Sequence, residues 1–163
     1  MINLKCDAVL PECDMKPLED IENSITAEYK KSIWVKFLKA VNEFGLVKDG
    51  DKIAIAISGG KDSLLLYKLF QRLKKDKRRN FEFRAVNLNP GFKKEDLDNF
   101  KNNLLKLDID CEIFDTNIWK IANEKAKDYP CFLCAKMRRG ILYKKVEEYG
   151  YNKLALGHHF DDV

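Results

Sequence analysis

The 163-residue sequence is poor in the residues that mark fibrous, disordered or disulfide-stabilised proteins. With only 4 prolines and 8 glycines, it has no collagen-like repeat and no low-complexity tract. Its 5 cysteines are odd in number, so a complete set of intrachain disulfides is impossible. No apolar run approaches the roughly 18 residues that span a bilayer, and the N-terminus lacks the basic-then-apolar order of a secretory signal. We therefore expect a cytoplasmic protein with no membrane segment.

Neither sign of charge dominates the sequence. There are 30 Lys and Arg against 26 Asp and Glu, a net charge of +4. This mild excess permits a nucleic-acid partner without requiring one. Because 45% of the residues are hydrophobic, a chain of this length can build the core of one domain.

Apolar residues follow a helical period first and then alternate between strand-like and helix-like segments. After an irregular arm over residues 1–20, the spacing predicts one amphipathic helix over 24–44, closed by Gly45. Strands are then predicted at 52–58, 81–88, 109–115 and 153–157, and helices at 63–75, 93–107, 116–127 and 130–149. This alternation predicts a doubly wound α/β fold, a parallel sheet with helices on both faces. We divide the chain into an N-terminal arm and helix (1–48) and a ligand-binding domain (49–163).

A glycine-rich segment, Ser58-Gly59-Gly60-Lys61-Asp62-Ser63, follows the first predicted strand. In doubly wound sheets, ligands bind where strands end and helices begin. The glycines allow the backbone to approach an anion, and the N–H groups of the next helix favour negative charge there. The spacing differs from the Walker A and dinucleotide-binding motifs. The segment predicts a phosphate-binding loop, and a serine-capped turn without a ligand is the alternative.

Two further segments carry residues that can bind metals. Cys131 and Cys134 open the helix after Pro130, and taken alone they could hold zinc, form a redox pair or be two buried thiols. Cys111 lies in a predicted strand and is expected to be a core thiol. Near the end of the chain, Gly157-His158-His159-Phe160-Asp161-Asp162 follows the last predicted strand. It could hold a metal ion, or it could be a helix N-terminus with acidic residues in its first turn.

Together these segments resemble the PP-loop ATP pyrophosphatase superfamily and, within it, the tRNA 2-thiocytidine synthetase (TtcA) family. SGGKDS is similar to the superfamily's pyrophosphate loop, and CFLCAKMRRGILY and LGHHFDD are similar to two segments of the family. The three motifs occur in the family's order over about residues 50–162. The resemblance implies cleavage of ATP between its α and β phosphates and transfer of sulfur to a cytidine, position 32, in the tRNA anticodon loop.

The resemblance also implies roles for individual residues. The residues implied to bind ATP are Ala56, Ser58, Gly59, Gly60, Lys61, Asp62, Ser63, Asn87, Leu88, Arg138 and Gly157. Asp162 and Asp161, with Lys61, are implied to lie at the reacting centre. Cys131 and Cys134 are implied to be two of three ligands of a [4Fe–4S] cluster, the third lying beyond this chain. Mg²⁺ is the expected counter-ion, and Lys136 and Arg139 are expected to contact tRNA.

The expected partners are tRNA and a sulfur donor, either a cysteine desulfurase or sulfide, and a homodimer is a further expectation from the resemblance. Because the sequence stops directly after a predicted strand, we expect residues 49–163 to be a PP-loop domain incomplete at its C-terminal end. Three alternatives stay open: a tRNA 2-thiouridine synthetase, a tRNA(Ile)-lysidine synthetase, and a non-catalytic nucleotide-binding module with a structural metal.

Overall fold

The computed structural model describes residues 16–125 and 130–158. Its helices are α1 (Leu18–Thr26), α2 (Val35–Glu43), α3 (Lys61–Lys74), α4 (Lys94–Lys106), α5 (Ile118–Lys125) and α6 (Pro130–Glu148), with a π-helical turn at Lys30–Trp34. Its strands are β1 (Lys52–Ala56), β2 (Glu82–Asn89), β3 (Cys111–Asp115) and β4 (Lys153–Ala155). From β1 onward, every predicted strand and helix is present, with bounds within a few residues of the prediction.

The strands form one sheet in the order β3-β2-β1-β4, and each neighbouring pair is parallel. The chain moves from β1 to β2 and β3 on one side and then returns to place β4 on the other side of β1. The strand order therefore reverses between β1 and β4. In open α/β sheets, ligands bind in the crevice at the carboxyl ends of the strands at this switch point.

Helices cover both faces of the sheet, which confirms the doubly wound class. Ile53 and Ile55 of β1 pack with apolar residues of α2, α3 and α4 on one face. Ala54 and Val86 lie on the other face with residues of α5 and α6. Because both faces are buried, the central strands are almost continuously apolar instead of alternating.

The prediction of one continuous helix over residues 24–44 is wrong. Helix α1 ends at Thr26, and the hydrogen bond from the Tyr29 amide reaches back to the carbonyl of Ser24, 2.8 Å away and five residues earlier. The π-helical turn continues this wider spacing before α2 begins. Ile25 of α1 is buried, whereas Tyr29 at the interruption is 42% exposed. The predicted end is confirmed, because Gly45 has a φ of +57°.

A polar cluster ties the beginning of β4 to the beginning of β1. The Asp51 carboxylate is 6% exposed and accepts hydrogen bonds from Lys153 Nζ at 2.6 Å, Asn152 Nδ2 at 2.9 Å and the Lys48 amide at 2.6 Å. Burial alone raises the pKa of Asp51, but the hydrogen bonds from Lys153, Lys48 and Asn152 outweigh it and lower the pKa to about 2. The cluster lies at the end of the sheet opposite the switch point.

Candidate functional site

The glycine-rich segment forms a loop held by its two serines. Ser63 Oγ accepts a hydrogen bond from the Ser58 amide at 3.2 Å and donates to the Gly60 carbonyl at 2.9 Å. The Gly60 amide donates to Ser58 Oγ at 3.3 Å. Gly59 has a φ of +89°, a conformation that strongly favours glycine. The serines thus shape the loop itself, in addition to being donors available to a ligand.

The loop leads directly into the N-terminus of α3. Gly60 is the N-cap, and no side chain caps the first turn through a hydrogen bond. The Lys61 side chain is 87% exposed, with its ammonium 3.7 Å from a carboxylate oxygen of Asp62. An uncapped helix N-terminus with an exposed lysine is a favourable position for an anion such as a phosphate.

The end of β4 packs directly against this helix terminus. A Cβ at Gly157 would lie 3.0 Å from the Ser63 amide nitrogen and 3.1 Å from both the Asp62 carbonyl carbon and Ser63 Cα. All three are backbone atoms, so a side chain does not fit without moving the loop. The glycine predicted at the site is therefore required by close packing between β4 and α3.

A pocket of about 300 Å³ lies at the switch point. The loop and the strand ends form one wall and helix α6 forms another. Its lining residues are Ala56, Ile57, Ser58, Ser63, Leu88, Ala135, Arg138, Arg139, Leu142, Tyr143, Leu154, Leu156, Gly157 and His158. The structure thus brings together six of the predicted nucleotide-binding residues: Ala56, Ser58, Ser63, Leu88, Arg138 and Gly157. Arg139, predicted to contact tRNA, lines the same pocket.

Asn87 lies beside the loop and is not among the residues that line this pocket. Its side chain is 3% exposed, and Nδ2 donates to the Ile57 carbonyl at 2.6 Å. This bond supports the residue that immediately precedes the loop. Its Oδ1 has no hydrogen-bond partner among the described residues. Asn87 therefore positions the segment that joins β1 to the loop.

The two cysteines of α6 are one helical turn apart. Cys131 is exposed, whereas Cys134 is partly buried and packs against the core beneath α6. Residues at this spacing lie on neighbouring positions of a helix surface, so the two thiols can bind one metal group together. Within residues 16–125 and 130–158, no cluster of three or more Cys, His, Asp or Glu completes a metal site. The donors present fit two ligands of an iron–sulfur cluster, whose soft irons favour thiolate.

Three other residues singled out in the sequence, Cys111, Asp161 and Asp162, lie apart from this pair in the chain. Cys111 lies in β3 and packs against the core, as predicted for a core thiol. Burial, with added repulsion from Asp110 and Glu112, raises the pKa of its thiol to about 12. Asp161 and Asp162, two of the three residues expected at the reacting centre, lie outside the described residues, and the third, Lys61, lies at the start of α3.

Helix α6 contributes residues that the sequence reasoning did not place at the site. Leu142 and Tyr143 line the pocket one turn beyond Arg138 and Arg139. The available signal was their helical spacing from the arginines, since residues three or four apart share a helix face. Lys136 is exposed on the same helix and does not line the pocket.

A family model described as a PP-loop domain matches residues 29–163. In the part of the chain that the structure describes, no helix is long and apolar enough to cross a membrane.

Curated relatives include tRNA-cytidine(32) 2-sulfurtransferases. The chain is 38% identical to that of Ralstonia pickettii over 130 residues, which are 77% of this chain and 40% of the relative. It is 35% identical to that of Bdellovibrio bacteriovorus over 153 residues, 91% of this chain and 56% of the relative. The chain thus spans about half the length of these relatives.

A similar solved structure is the U34-tRNA thiolase NcsA from Methanococcus maripaludis with its [4Fe-4S] cluster. The two chains are 28% identical, with a TM-score of 0.61, and the match covers 82% of this chain and 48% of the other. The likeness extends over most of the fold described above.

Proposed function

This chain belongs to the PP-loop family, and we propose that it forms the ATP-binding part of a tRNA thiolase that converts cytidine 32 to 2-thiocytidine. The observation that carries the proposal is the pocket at the switch point. There the Ser58–Ser63 loop and Gly157 face Arg138, which lies one turn after the thiol pair on α6. The helix that carries the pair of thiols thus lines the same cavity as the proposed phosphate-binding loop.

In the first step, the C2 oxygen of cytidine attacks the α-phosphorus of ATP, and pyrophosphate leaves. The loop, the uncapped N-terminus of α3 and Lys61 hold the phosphates, with Mg²⁺ as counter-ion, and Arg138 approaches them from α6. Their contribution is to orient the α-phosphate and to offset the charge that develops on it. Ala56, Leu88 and Gly157, which line the pocket, are proposed to flank the adenosine.

In the second step, sulfide attacks C2 of the adenylated base, and the oxygen leaves as part of AMP. The sulfur comes from sulfide, or from a cysteine desulfurase whose persulfide sulfur is first reduced to sulfide by two electrons from a thiol reductant. Cys131 and Cys134 would hold two irons of a [4Fe–4S] cluster, which when bound supplies an iron site for exogenous sulfide. Cys131 is exposed enough to reach such a group, while the core contacts of Cys134 fix the helix that carries both thiols.

The target base must leave the anticodon-loop stack to reach the pocket. Lys136 and Arg139 are positioned to bind phosphates of the RNA, because both are exposed on α6 beside the pocket. Asp162 and Asp161 stay proposed as groups at the reacting centre.

The first test is nucleoside mass spectrometry of tRNA from cells with and without the gene. Loss of 2-thiocytidine on deletion, with recovery when the gene is restored, supports the proposal. Persistence of 2-thiocytidine would reject it. Because NcsA acts on U34, loss of 2-thiouridine instead would identify a uridine thiolase as the correct alternative.

A pair of lysine variants tests the phosphate-binding role in the same assay. Lys61→Ala removes an ammonium that is 87% exposed, so we expect a normal fold and loss of most 2-thiocytidine, about 10-fold or more. Lys52→Ala is the matched control, because Lys52 lies at the opposite end of β1 and its side chain is 57% exposed. Equal activity of the two variants would remove Lys61 from the proposed site.

A further inference from the structure

Helix α6 carries a row of exposed aromatic and basic side chains, which we name the α6 stripe. Its members are Phe132, Lys136, Arg139 and Tyr143, spaced four, three and four residues apart. At about 100° per residue, they fall within an arc of about 60° on one side of the helix. Phe132 is 73% exposed and Tyr143 is 51% exposed.

Core packing does not account for these aromatic residues. Cys134, Met137 and Ile141 of the same helix pack against the apolar cluster beneath it. Their positions along the helix place them on the side opposite the stripe. Exposed aromatic side chains in a row indicate a binding surface more than isolated ones do.

The charges on the stripe are not compensated within the described residues. The ion pairs recorded for α6 there are those of Lys144 and Lys145 with Glu148, near the end of the helix. No acidic residue lies in its first turn. The stripe therefore presents two cations, Lys136 and Arg139, between two aromatic rings and suits a polyanion with planar groups.

The other basic segment of the chain, residues 74–79, differs from the stripe in two ways. Most of its cations are paired within the protein, and it lies away from the pocket. In residues 74–79, Lys75 pairs with Glu22 at 3.2 Å, and Arg78 binds Asp76 through both its Nε and a terminal nitrogen. This segment precedes β2 and so lies at the end of the sheet opposite the pocket. Most of its cationic side chains therefore bind acceptor groups within the protein.

The stripe also leads to the pocket. Arg139 and Tyr143 belong to both, since they line the cavity that contains Ser58 and Gly157. From Phe132 to Tyr143, the helix rises about 16 Å, a length that accommodates a few unpaired nucleotides. The stripe thus runs along one side of the proposed reaction site.

We propose that the α6 stripe binds single-stranded RNA, with bases stacked on Phe132 and Tyr143 and phosphates paired with Lys136 and Arg139. Stacking on an aromatic side chain requires an open base face, which unpaired nucleotides offer and duplex RNA does not. The stripe then guides an anticodon loop toward the pocket. This inference rests on the proposed function, because it identifies the surface by which that site receives its RNA.

The test measures binding of the full chain to an RNA hairpin with an unpaired loop and to a fully paired RNA of equal length. We expect the hairpin to bind more tightly. Phe132→Ala and Tyr143→Ala should each weaken hairpin binding about 5- to 150-fold. Phe132→Tyr and Tyr143→Phe should retain binding, because the ring is kept. Phe44→Ala is the matched control, since Phe44 is 69% exposed and lies just after α2, away from α6.

The salt dependence separates stacking from phosphate binding. Lys136→Ala and Arg139→Ala should each reduce the slope of log K against log salt concentration by about 0.7. The aromatic variants should leave that slope unchanged. Lys77→Ala, an exposed lysine of the opposite basic segment, should alter neither the affinity nor the slope.

Three results would overturn the inference. The first is equal affinity of Phe132→Ala, Tyr143→Ala and Phe44→Ala for the hairpin. The second is the absence of hairpin binding by the unmodified chain, and the third is tighter binding of anionic lipid vesicles used as a competing polyanion. The nucleoside assay is independent of these results: loss of 2-thiocytidine on deletion together with any of them would retain the proposed function and reject the stripe.

Discussion

Replacing Gly157 by alanine tests whether the segment after β4 packs against the proposed phosphate-binding loop at the start of α3. Gly157 does not have a left-handed φ, so an alanine can adopt its backbone conformation. The added methyl carbon would lie 3.0 Å from the Ser63 amide nitrogen, inside the 3.4–4 Å of ordinary van der Waals contact. Because its neighbours are backbone atoms, either β4 or the first turn of α3 must move.

The magnitude follows from the two ways of relieving this contact. If the strand moves, overpacking of this kind lowers the free energy of unfolding by about 1–3 kcal/mol. If the helix terminus moves, the amides of the loop lose their alignment with the phosphates. Loss of one hydrogen bond to a charged group is about 1.5–3 kcal/mol, which raises the Kd for ATP about 10- to 150-fold.

The assay is urea unfolding combined with calorimetric titration of ATP, with Gly140→Ala as the control. Gly140 lies in α6, where an added Cβ meets nothing within 4 Å. Since alanine favours a helix more than glycine does, Gly140→Ala should raise the free energy of unfolding by about 1 kcal/mol. A Gly157→Ala protein with unchanged stability and unchanged ATP affinity would refute the packing of β4 against the loop.

Two further predictions follow from the shifted pKa values. Asp51→Asn should lower the free energy of unfolding by about 3 kcal/mol at neutral pH, because it leaves Lys153 without its carboxylate. The folded-state pKa of Asp51 is about 2, below the ordinary 3.8, so its stabilisation is present above pH 3.8 and is lost as the pH falls through 2. Urea unfolding across this range should show a smaller pH dependence for Asp51→Asn than for the parent, and an equal dependence would contradict the assignment. Cys111, whose pKa is raised to about 12, should resist iodoacetamide in the folded apo protein while the exposed Cys131 is alkylated. Peptide mass spectrometry that finds Cys111 modified before Cys131 would show that β3 is more open than the structure indicates.

The sheet could be predicted from sequence because its signals are local. Each strand is a short apolar run followed by a helical pattern, and Gly45 marks the end of α2. The interruption between α1 and α2 could not be predicted in this way. The apolar spacing from Ile25 to Phe44 suits one helix, and the π-helical turn depends on which of those side chains the sheet can bury.

The candidate site could likewise be predicted only where its signals are local in the sequence. The SGGKDS loop can be identified from its glycines and from its place after β1. The contributions of Leu142 and Tyr143 require knowledge of how α6 lies across the carboxyl ends of β1 and β4, which is a tertiary contact. The resemblance associated Asn87 with adenosine, and the structure adds a hydrogen bond from its side-chain amide to the carbonyl of Ile57, the residue after β1. That bond connects residues thirty positions apart and has no local sequence signal.

The Asp51 cluster helps to determine the geometry of the pocket from the opposite end of the sheet. Strand β4 has only three residues, Lys153–Ala155, and pairs with Ile53, Ala54 and Ile55 of β1. A shift of one residue in so short a strand would turn its side chains to the opposite face and displace Gly157 from Ser63. The cluster opposes such a shift, because Asn152 exchanges hydrogen bonds with the backbone of Lys52 while Lys153 binds Asp51. We therefore expect Asp51→Asn to weaken ATP binding as well as stability, although Asp51 lies about 23 Å along the chain from Ser58, the first residue of the loop. Unchanged ATP affinity in a destabilised Asp51→Asn protein would show that Asp51 is not needed to hold β4 in the register that the pocket requires.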